Sequence, residues 1–290
     1  MNPWFVTGFT DGEGSFLTLI SKSSKVKTGW LCRVSFQIGL DAKDKALLYS
    51  IQEFFGVGIV NKAEKNMFRY RVSQPSDMRI IIEHFTNFPL LTQKKEDFNL
   101  FKEAVNILLR KEYLTREGVD KLVAIKASMN KGLTGELKAL FADIIPMTKP
   151  ELERGLIIDP QWLAGFISAE SCFSVSIVKS QYVKQGYQVQ LKFRLTQHIR
   201  DIQLMESLVS YLGGSVFKSK DAVDLHVAKL SDLTGKVLPL LEKYPIEVVK
   251  FQDYCDFIKV VELVKNKSHM TTEGLSQIRK IKAGMNTSRV

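Results

Sequence analysis

The chain has 290 residues and carries 41 lysines and arginines against 31 aspartates and glutamates, which gives a formal net charge of +10. This basic balance favours a polyanionic partner, nucleic acid before an anionic membrane surface. Three scattered cysteines argue against a disulfide framework or a zinc cluster and favour a reducing compartment. No apolar run is long enough to span a bilayer, and neither a secretory signal nor a transit peptide is visible.

Residues 6–14, VTGFTDGEG, are predicted to form a short apolar helix that ends in a carboxylate, Glu13. Apolar spacings of two and 3.6 residues predict strands and helices for the rest of this half, and Gly56 follows one helix as a C-cap. In chain order these elements are strands at 15–25 and 30–40, a helix at 43–55, a hairpin at 57–74 with its turn near 64–66, and helices at 76–87, 94–110 and 117–129.

The second half of the chain repeats the first. Residues 163–171, LAGFISAES, again end in a glutamate, Glu170, which lies 157 residues after Glu13 (170 − 13). The offset later drifts to 155 and then settles at 156, and we attribute this drift to insertions and deletions in surface loops. The matching elements are strands at 172–181 and 187–196, a helix at 200–212, a hairpin at 214–230, and helices at 231–243, 247–264 and 272–284.

This repeat predicts an α+β fold of two pseudo-symmetric αββαββα halves, residues 1–130 and 159–290, in a monomer with an internal pseudo-twofold axis. Each half should contain a four-stranded antiparallel sheet, with one face packed on helices and the other open. Residues 131–158 have no counterpart in the repeat, and we expect a structured linker with a helix near 136–144.

The two short apolar helices share an unusual stripe of small residues. Gly8 and Gly12 lie four apart, as do Gly165 and Ala169, so each helix presents a face with almost no side chains and two such faces can pack closely. Parallel packing would bring Glu13 and Glu170 together at helix ends that already carry partial negative charge. We therefore expect hard divalent cations there, Mg²⁺ above all.

Basic and amide side chains alternate along the predicted strands, which are the positions that can contact phosphates and base edges in a major groove. An ordinary solvated sheet face would give a similar pattern, but the repeat symmetry favours DNA. The predicted DNA-contact residues are Lys22, Lys25, Arg33, Gln37, Lys62, Arg69, Arg71, Ser73, Lys179, Lys184, Gln188, Gln190, Lys192, Arg194, Thr196, Lys218, Lys220, His226 and Lys229.

The motifs VTGFTDGEG and LAGFISAES resemble the two signature motifs of the single-chain LAGLIDADG homing endonucleases, a family found chiefly in organellar introns. The resemblance implies that the motif helices pair between the halves and that both sheets form DNA-binding saddles. It also implies that Glu13 and Glu170 bind divalent metal, with the backbone carbonyls of Gly12 and Ala169 as additional ligands. A polar residue near each metal maps to Gln197 in the second half but to Leu40 in the first.

The implied reaction is metal-dependent phosphodiester hydrolysis that leaves a staggered double-strand break. A basic residue near the active site maps to Lys229 and, in the first half, to Gln74, so the half-sites should be chemically unequal. Two or three Mg²⁺ ions are expected, with Mn²⁺ able to substitute and Ca²⁺ supporting binding without cleavage. A compact chain of this length spans about 65 Å, or roughly 20 base pairs of duplex.

Other functions fit the same scaffold. An intron RNA maturase would use the basic surfaces without needing both glutamates, and a dual function remains open. A non-cleaving DNA-binding protein predicts the loss of a motif acid, yet both are present. A membrane-surface protein would need a basic amphipathic helix, which the sequence does not contain. The family resemblance further implies an organellar location, most readily mitochondrial.

Overall fold

The computed structural model describes residues 1–149, 158–183, 185–247 and 249–286. It divides into two compact units, Met1–Ile158 and Asp159–Val290. The described part of the stretch without a counterpart, residues 131–149 and Ile158, groups with the first unit.

Each unit follows the predicted αββαββα order, and we number the elements along the whole chain. Those of the first unit are α1 (Pro3–Glu13), β1 (Gly14–Lys22), β2 (Trp30–Asp41), α2 (Lys45–Phe55), β3 (Ile59–Lys62), β4 (Met67–Val72), α3 (Met78–Asn87), α4 (Lys94–Leu109), α5 (Arg116–Ser128) and α6 (Gly135–Leu140). Gly56 terminates α2 in the left-handed conformation, with φ of +67°, which confirms the predicted C-cap.

The second unit repeats this succession. Its elements are α7 (Pro160–Glu170), β5 (Ser171–Lys179), β6 (Tyr187–His198), α8 (Ile202–Leu212), β7 (Ser215–Lys218), β8 (Ala222–Val227), α9 (Leu230–Asp232), α10 (Leu238–Lys243), α11 (Lys250–Lys265) and α12 (Thr272–Ala283). Each unit holds one four-stranded antiparallel sheet, in the order β1-β2-β4-β3 or β5-β6-β8-β7, as predicted.

Aromatic side chains pack against one face of each sheet. The ring of Phe16 on β1 lies 5.1–5.4 Å, centroid to centroid, from the rings of Phe36, Phe85, Phe98 and Phe101. Because side chains alternate across a strand, this packing leaves the odd-numbered positions of β1 and β2 on the opposite, open face. Each unit therefore combines a packed core on one side of the sheet with an accessible sheet surface on the other.

An asparagine just beyond the last long helix of each unit ties that helix to the first strand. Asn130 adopts φ of +50°, and its Nδ2 donates to the carbonyl of Phe16 at 2.8 Å. Asn286 has φ of +56° and donates in the same way to the carbonyl of Phe173 at 3.0 Å. Asparagine tolerates the left-handed conformation better than other side chains, so one residue type meets both requirements.

The start of α5 needs a residue without a side chain. A Cβ at Gly118 would lie 1.9 Å from the carbonyl oxygen of Glu112, and one at Gly274, at the start of α12, equally close to that of Ser268. In both helices the N-cap threonine, Thr115 or Thr271, accepts a hydrogen bond from the amide of that glycine. The close approach thus explains why glycine occupies the matching position in both repeats.

The helix predicted at 231–243 contains an irregularity. A π turn, Leu233–Val237, joins α9 to α10, whereas α3 is a regular α-helix. From Asp77 to Pro89 the chain advances 12 residues (89 − 77), and from Asp232 to Pro245 it advances 13 (245 − 232). The wider turn accommodates the extra residue. One step of the repeat drift therefore lies inside a helix, which corrects our attribution of all of it to surface loops.

A buried histidine packs in an aromatic cage between α1 and α3. The ring of His84 lies 5.2–5.4 Å from those of Phe54, Phe55 and Phe88. Its Nε2 is 3.1 Å from the hydroxyl of Thr7, which donates its own hydrogen to the carbonyl of Phe88. Since that hydroxyl has no second hydrogen, Nε2 carries the proton, and burial lowers the pKa of His84 to about 4.

Within the described ranges, no helix combines the length and the apolar character needed to cross a membrane.

Candidate active site and nucleic-acid interface

Both motif glutamates occupy the last position of a helix that runs directly into a strand. Glu13 ends α1 and is exposed, and Glu170 ends α7 and is half-buried. Each helix begins with a proline preceded by a capping side chain: Asn2 accepts from the amide of Trp4 at 2.9 Å, and Asp159 from that of Gln161 at 2.7 Å. Because the first residues of each motif helix are fixed in this way, the carboxylate at its last residue has a defined place next to the first strand of its sheet.

A lysine caps the C-terminal end of each motif helix. The Nζ of Lys94 donates to the carbonyls of Thr10 and Gly12 at 2.8 and 2.9 Å. The Nζ of Lys250 donates to those of Ser168 and Ala169, both at 2.9 Å. These ammonium groups add hydrogen bonds to carbonyls of the last helical turn and offset the negative end of the helix dipole.

Lys94 and Lys250 are not among the site residues predicted from the sequence, although the signal was present. The two lie 156 residues apart (250 − 94), the offset that relates the later parts of the repeat, and each is the first residue of a long helix. The basic position implied by the family resemblance is Lys229, with Gln74 as its counterpart, and this assignment stays a prediction. Both side chains are exposed. Lys229 immediately precedes α9, and Gln74 lies one turn before α3; the backbone carbonyl of each accepts from amides three and four residues later.

Side chains inside the motif helices hold them against the segments that lead to the lysines. The buried carboxylate of Asp11 accepts from the amides of Leu91 and Thr92 at 2.9 and 3.2 Å and from the hydroxyl of Thr92 at 2.6 Å. The corresponding Ser168 accepts from the amide of Glu247 at 3.1 Å. In each unit the motif helix and its lysine are therefore positioned together.

The oxygen donors at these helix ends suit a hard cation that also binds a phosphate. Across the described part of the chain, no group of three or more His, Cys, Asp or Glu side chains could hold a metal by itself. Each unit instead offers one helix-end carboxylate beside carbonyls that keep a second lone pair after accepting from lysine. Mg²⁺ commonly binds through one or two carboxylates plus substrate phosphates, so the donor set fits it.

The two positions expected beside the metal, Gln197 and Leu40, lie at corresponding ends of strands. Gln197 lies near the end of β6, half-buried, and its Oε1 accepts from the amide of His198 at 2.8 Å. Leu40 lies near the end of β2 and is buried. Both residues occupy core-facing positions of their strands, and only Gln197 has a polar side chain.

In the first unit, the sheet brings four predicted DNA-contact residues onto the open face. Gln37 pairs directly with Arg71, and Arg33 and Arg69 share their side of the sheet. Ser73 follows β4 and is exposed. The other predicted lysines of this unit lie at strand ends or in a turn: Lys22, Lys25 and Lys62. Lys22 is in the core-facing register and forms an ion pair with Glu136 at 3.2 Å.

The second sheet groups six of its predicted residues in the same way. On its open face lie Gln188, Gln190, Lys192, Arg194, Thr196 and His226. Lys179 and Lys218 are in the core-facing register, and Lys218 pairs with Glu206 at 3.2 Å. Lys220 lies in the turn between β7 and β8, whereas Lys184 lies outside the described residues.

Comparison with known proteins gives the same pattern of two repeats. The sequence model described as LAGLIDADG endonuclease matches residues 6–105 and 163–261. A relative from Neurospora crassa, named probable intron-encoded endonuclease 3, is 41% identical over 284 residues, which cover 96% of this chain and 53% of that protein. The chain thus spans about half the length of this relative.

Solved structures of the I-SmaMI LAGLIDADG homing endonuclease are similar over the full chain. The one bound to cleaved DNA has a TM-score of 0.97 and 43% identity, covering 100% of this chain and 98% of that one. The one bound to an uncleaved DNA target in the presence of calcium ions has a TM-score of 0.96 and 43% identity, covering 99% of each chain. With the family's sequence model matched twice and the fold shared throughout, the chain belongs to the LAGLIDADG endonuclease family.

Proposed function

We propose that this chain is a site-specific homing endonuclease that binds double-stranded DNA and hydrolyses one phosphodiester in each strand, leaving a staggered break. The observation that carries the proposal is the recurrence, in each unit, of a helix-end glutamate, a lysine on the adjoining carbonyls and an open sheet face with basic and amide side chains. The likeness to a homing endonuclease bound to cleaved DNA supports the same reaction.

Recognition is proposed to reside on the open sheet faces. Arginine bonds guanine through two acceptors and glutamine bonds adenine, so Arg33, Arg69, Arg71 and Gln37 suit direct readout of base edges. Lys25 and Lys220, which lie in turns beside the strands, would contact phosphates, which position a duplex without reading its sequence. Two such faces, one from each half, would cover a target of roughly 20 base pairs.

The catalytic groups are proposed to be Glu13 and Glu170, supplied by motif helices that pair between residues 1–130 and 159–290. These carboxylates, with the carbonyls of Gly12 and Ala169, would hold divalent cations, and a homologous structure with calcium supports such use. A bound Mg²⁺ would supply positive charge against the scissile phosphate. Mn²⁺ should replace it, and Ca²⁺ should support binding without cleavage.

The remaining groups of the site would act on water and phosphate oxygens. Gln197 can orient water by hydrogen bonding, whereas Leu40 cannot, so the two half-sites are proposed to be unequal. Lys94 and Lys250 add positive charge beside the glutamates and keep the helix ends rigid. Lys229 remains available for a phosphate. The Neurospora relative is intron-encoded by name, and we propose that this chain acts in an organelle as a monomer.

The experiment that tests this function is selection from a library of randomised duplexes. The purified chain is incubated with the library in Mg²⁺, and cleaved ends are captured and sequenced; parallel samples contain Ca²⁺ and are assayed for binding. One long site cut in both strands with Mg²⁺, and bound but uncut with Ca²⁺, is the expected result. A chain that leaves the whole library uncut, or cuts without sequence preference, would overturn the proposal.

A further inference from the structure

The open face of the second sheet carries one acidic side chain among its basic ones. Asp224 on β8 pairs with Thr196 on β6 and with Phe217 on β7, so it lies in the middle of that face. Arg194 and His226 form the neighbouring pair on the same side. A duplex carries one negative charge about every 1.7 Å, so a carboxylate in the middle of a DNA-contact surface weakens binding unless it accepts a hydrogen bond from the DNA.

The carboxylate has a fixed orientation. The hydroxyl of Thr196 donates to its Oδ1 at 2.5 Å, which leaves Oδ2 and one lone pair of Oδ1 for other donors. Asp224 is half-buried, and the ring of Phe217 beyond it packs against that of His226, with centroids 4.7 Å apart. A carboxylate held on one side by a hydroxyl and flanked by a packed ring is suited to select one partner rather than many.

The corresponding position of the first sheet carries the opposite charge. Thr196 matches Gly39 at an offset of 157 (196 − 39), and Gly39 pairs with Arg69 as Thr196 pairs with Asp224. Arginine in the major groove reads the two acceptors of guanine, whereas a carboxylate accepts from the N4 amino group of cytosine. The amino group of adenine is also a donor, but its neighbouring N7 acceptor would face the carboxylate.

We propose that Asp224, oriented by Thr196, is a specificity residue that selects cytosine at one base pair of the target half contacted by the second sheet. The assignment rests on the proposed function, because it needs the open face to enter a major groove. It predicts that the target departs from palindromic symmetry where Arg69 and Asp224 make their contacts.

The test compares wild type with Asp224→Asn and with Asp221→Asn in a binding selection from randomised duplexes in Ca²⁺. Asp221 lies exposed in the turn beside β8, so its substitution changes the charge of the same hairpin equally. Wild type should prefer cytosine at one position by about tenfold, a factor that corresponds to about 1.4 kcal/mol. Asp224→Asn should lose this preference and gain adenine, which asparagine bonds through N6 and N7.

The control variant Asp221→Asn should tighten binding to every duplex by about the same factor and leave the preference for cytosine unchanged. Thr196→Val should weaken the cytosine preference, and Thr196→Ser, which keeps the hydroxyl, should retain it. A melting temperature for each variant identifies any loss of fold. If Asp224→Asn shifts all affinities uniformly, the assignment fails while the proposed function stands. If wild type selects no duplex at all, both fail.

Discussion

The lysine contacts at the motif helix ends lead to the most specific stability prediction, which concerns Lys94→Met. The substitution keeps most of the aliphatic stem and removes the ammonium that donates to Thr10 and Gly12. The Thr10 carbonyl retains the amide of Gly14 as a donor, and Gly12 is half-exposed, so water can replace part of what is lost.

The loss of these contacts should therefore lower the unfolding free energy by about 2 kcal/mol, closer to the contribution of one charged hydrogen bond than of two. The lost interaction with the helix dipole should lower it by up to about 1 kcal/mol more. In a protein of this size that corresponds to a melting temperature lower by about 3–5 °C. Lys250→Met, which loses the contacts to Ser168 and Ala169, should behave alike.

Thermal unfolding of the two variants beside Lys95→Met measures the effect. The ammonium of Lys95 makes no hydrogen bond or ion pair with any described residue, so its loss should change the unfolding free energy by less than about 0.5 kcal/mol. Cleavage should also fall at least tenfold in Lys94→Met because the helix end that carries the proposed catalytic Glu13 loses its support. Equal melting temperatures for Lys94→Met and Lys95→Met would refute this reasoning.

Three further predictions concern the supports of the fold. Burial lowers the pKa of His84 to about 4 from an ordinary 6.5, so as the pH falls the unfolded chain binds the extra proton at a higher pH than the folded chain does. The unfolding free energy should therefore fall by about 3 kcal/mol between pH 6.5 and 4, and the decrease should be smaller in His84→Gln. Gly118→Ala should lower the melting temperature despite alanine's helix propensity, whereas Gly135→Ala, whose Cβ would meet open space, should not. Asn130→Gly should lose about 1 kcal/mol with its side-chain bond, and Asn130→Ala more, because alanine disfavours a positive φ.

Each of these has a result that would contradict it. A pH profile identical in wild type and His84→Gln would mean that the histidine is not held neutral. Equal melting temperatures for the two glycine variants would show that the approach to Glu112 relaxes without cost. For Asn130, an alanine variant more stable than the glycine variant would remove the role assigned to the left-handed backbone.

The fold was predictable because the repeat and the strand alternation agree. Two copies of one pattern located both sheets, and the turn predicted near 64–66 lies between β3 and β4 as expected. The same alternation also assigns a face of the sheet to each strand lysine. Lys22 has the parity of the buried Phe16 and Ile20, so the same rule that places Arg33 on the open face places Lys22 on the other.

Other features depend on contacts that no local pattern encodes. Lys94 acts on carbonyls more than 80 residues earlier in the chain, and nothing in its neighbourhood distinguishes it from Lys95 except the offset to Lys250. The π turn at Leu233–Val237 keeps the apolar spacing of a continuous helix, so only counting residues between Asp232 and Pro245 exposes it. The partnership of Thr196 with Asp224 likewise required the pairing of β6 with β8.

The central claim is that one carboxylate from each half serves the cleavage of DNA. The most direct measurement is cleavage of the selected target by Glu13→Gln and Glu170→Gln, with binding measured in Ca²⁺ and Glu117→Gln on α5 as the control. We predict that each motif variant binds the target within a few-fold of wild type but no longer makes the double-strand break, while the control cuts normally. A variant of Glu13 or Glu170 that cuts both strands at the wild-type rate would contradict the account.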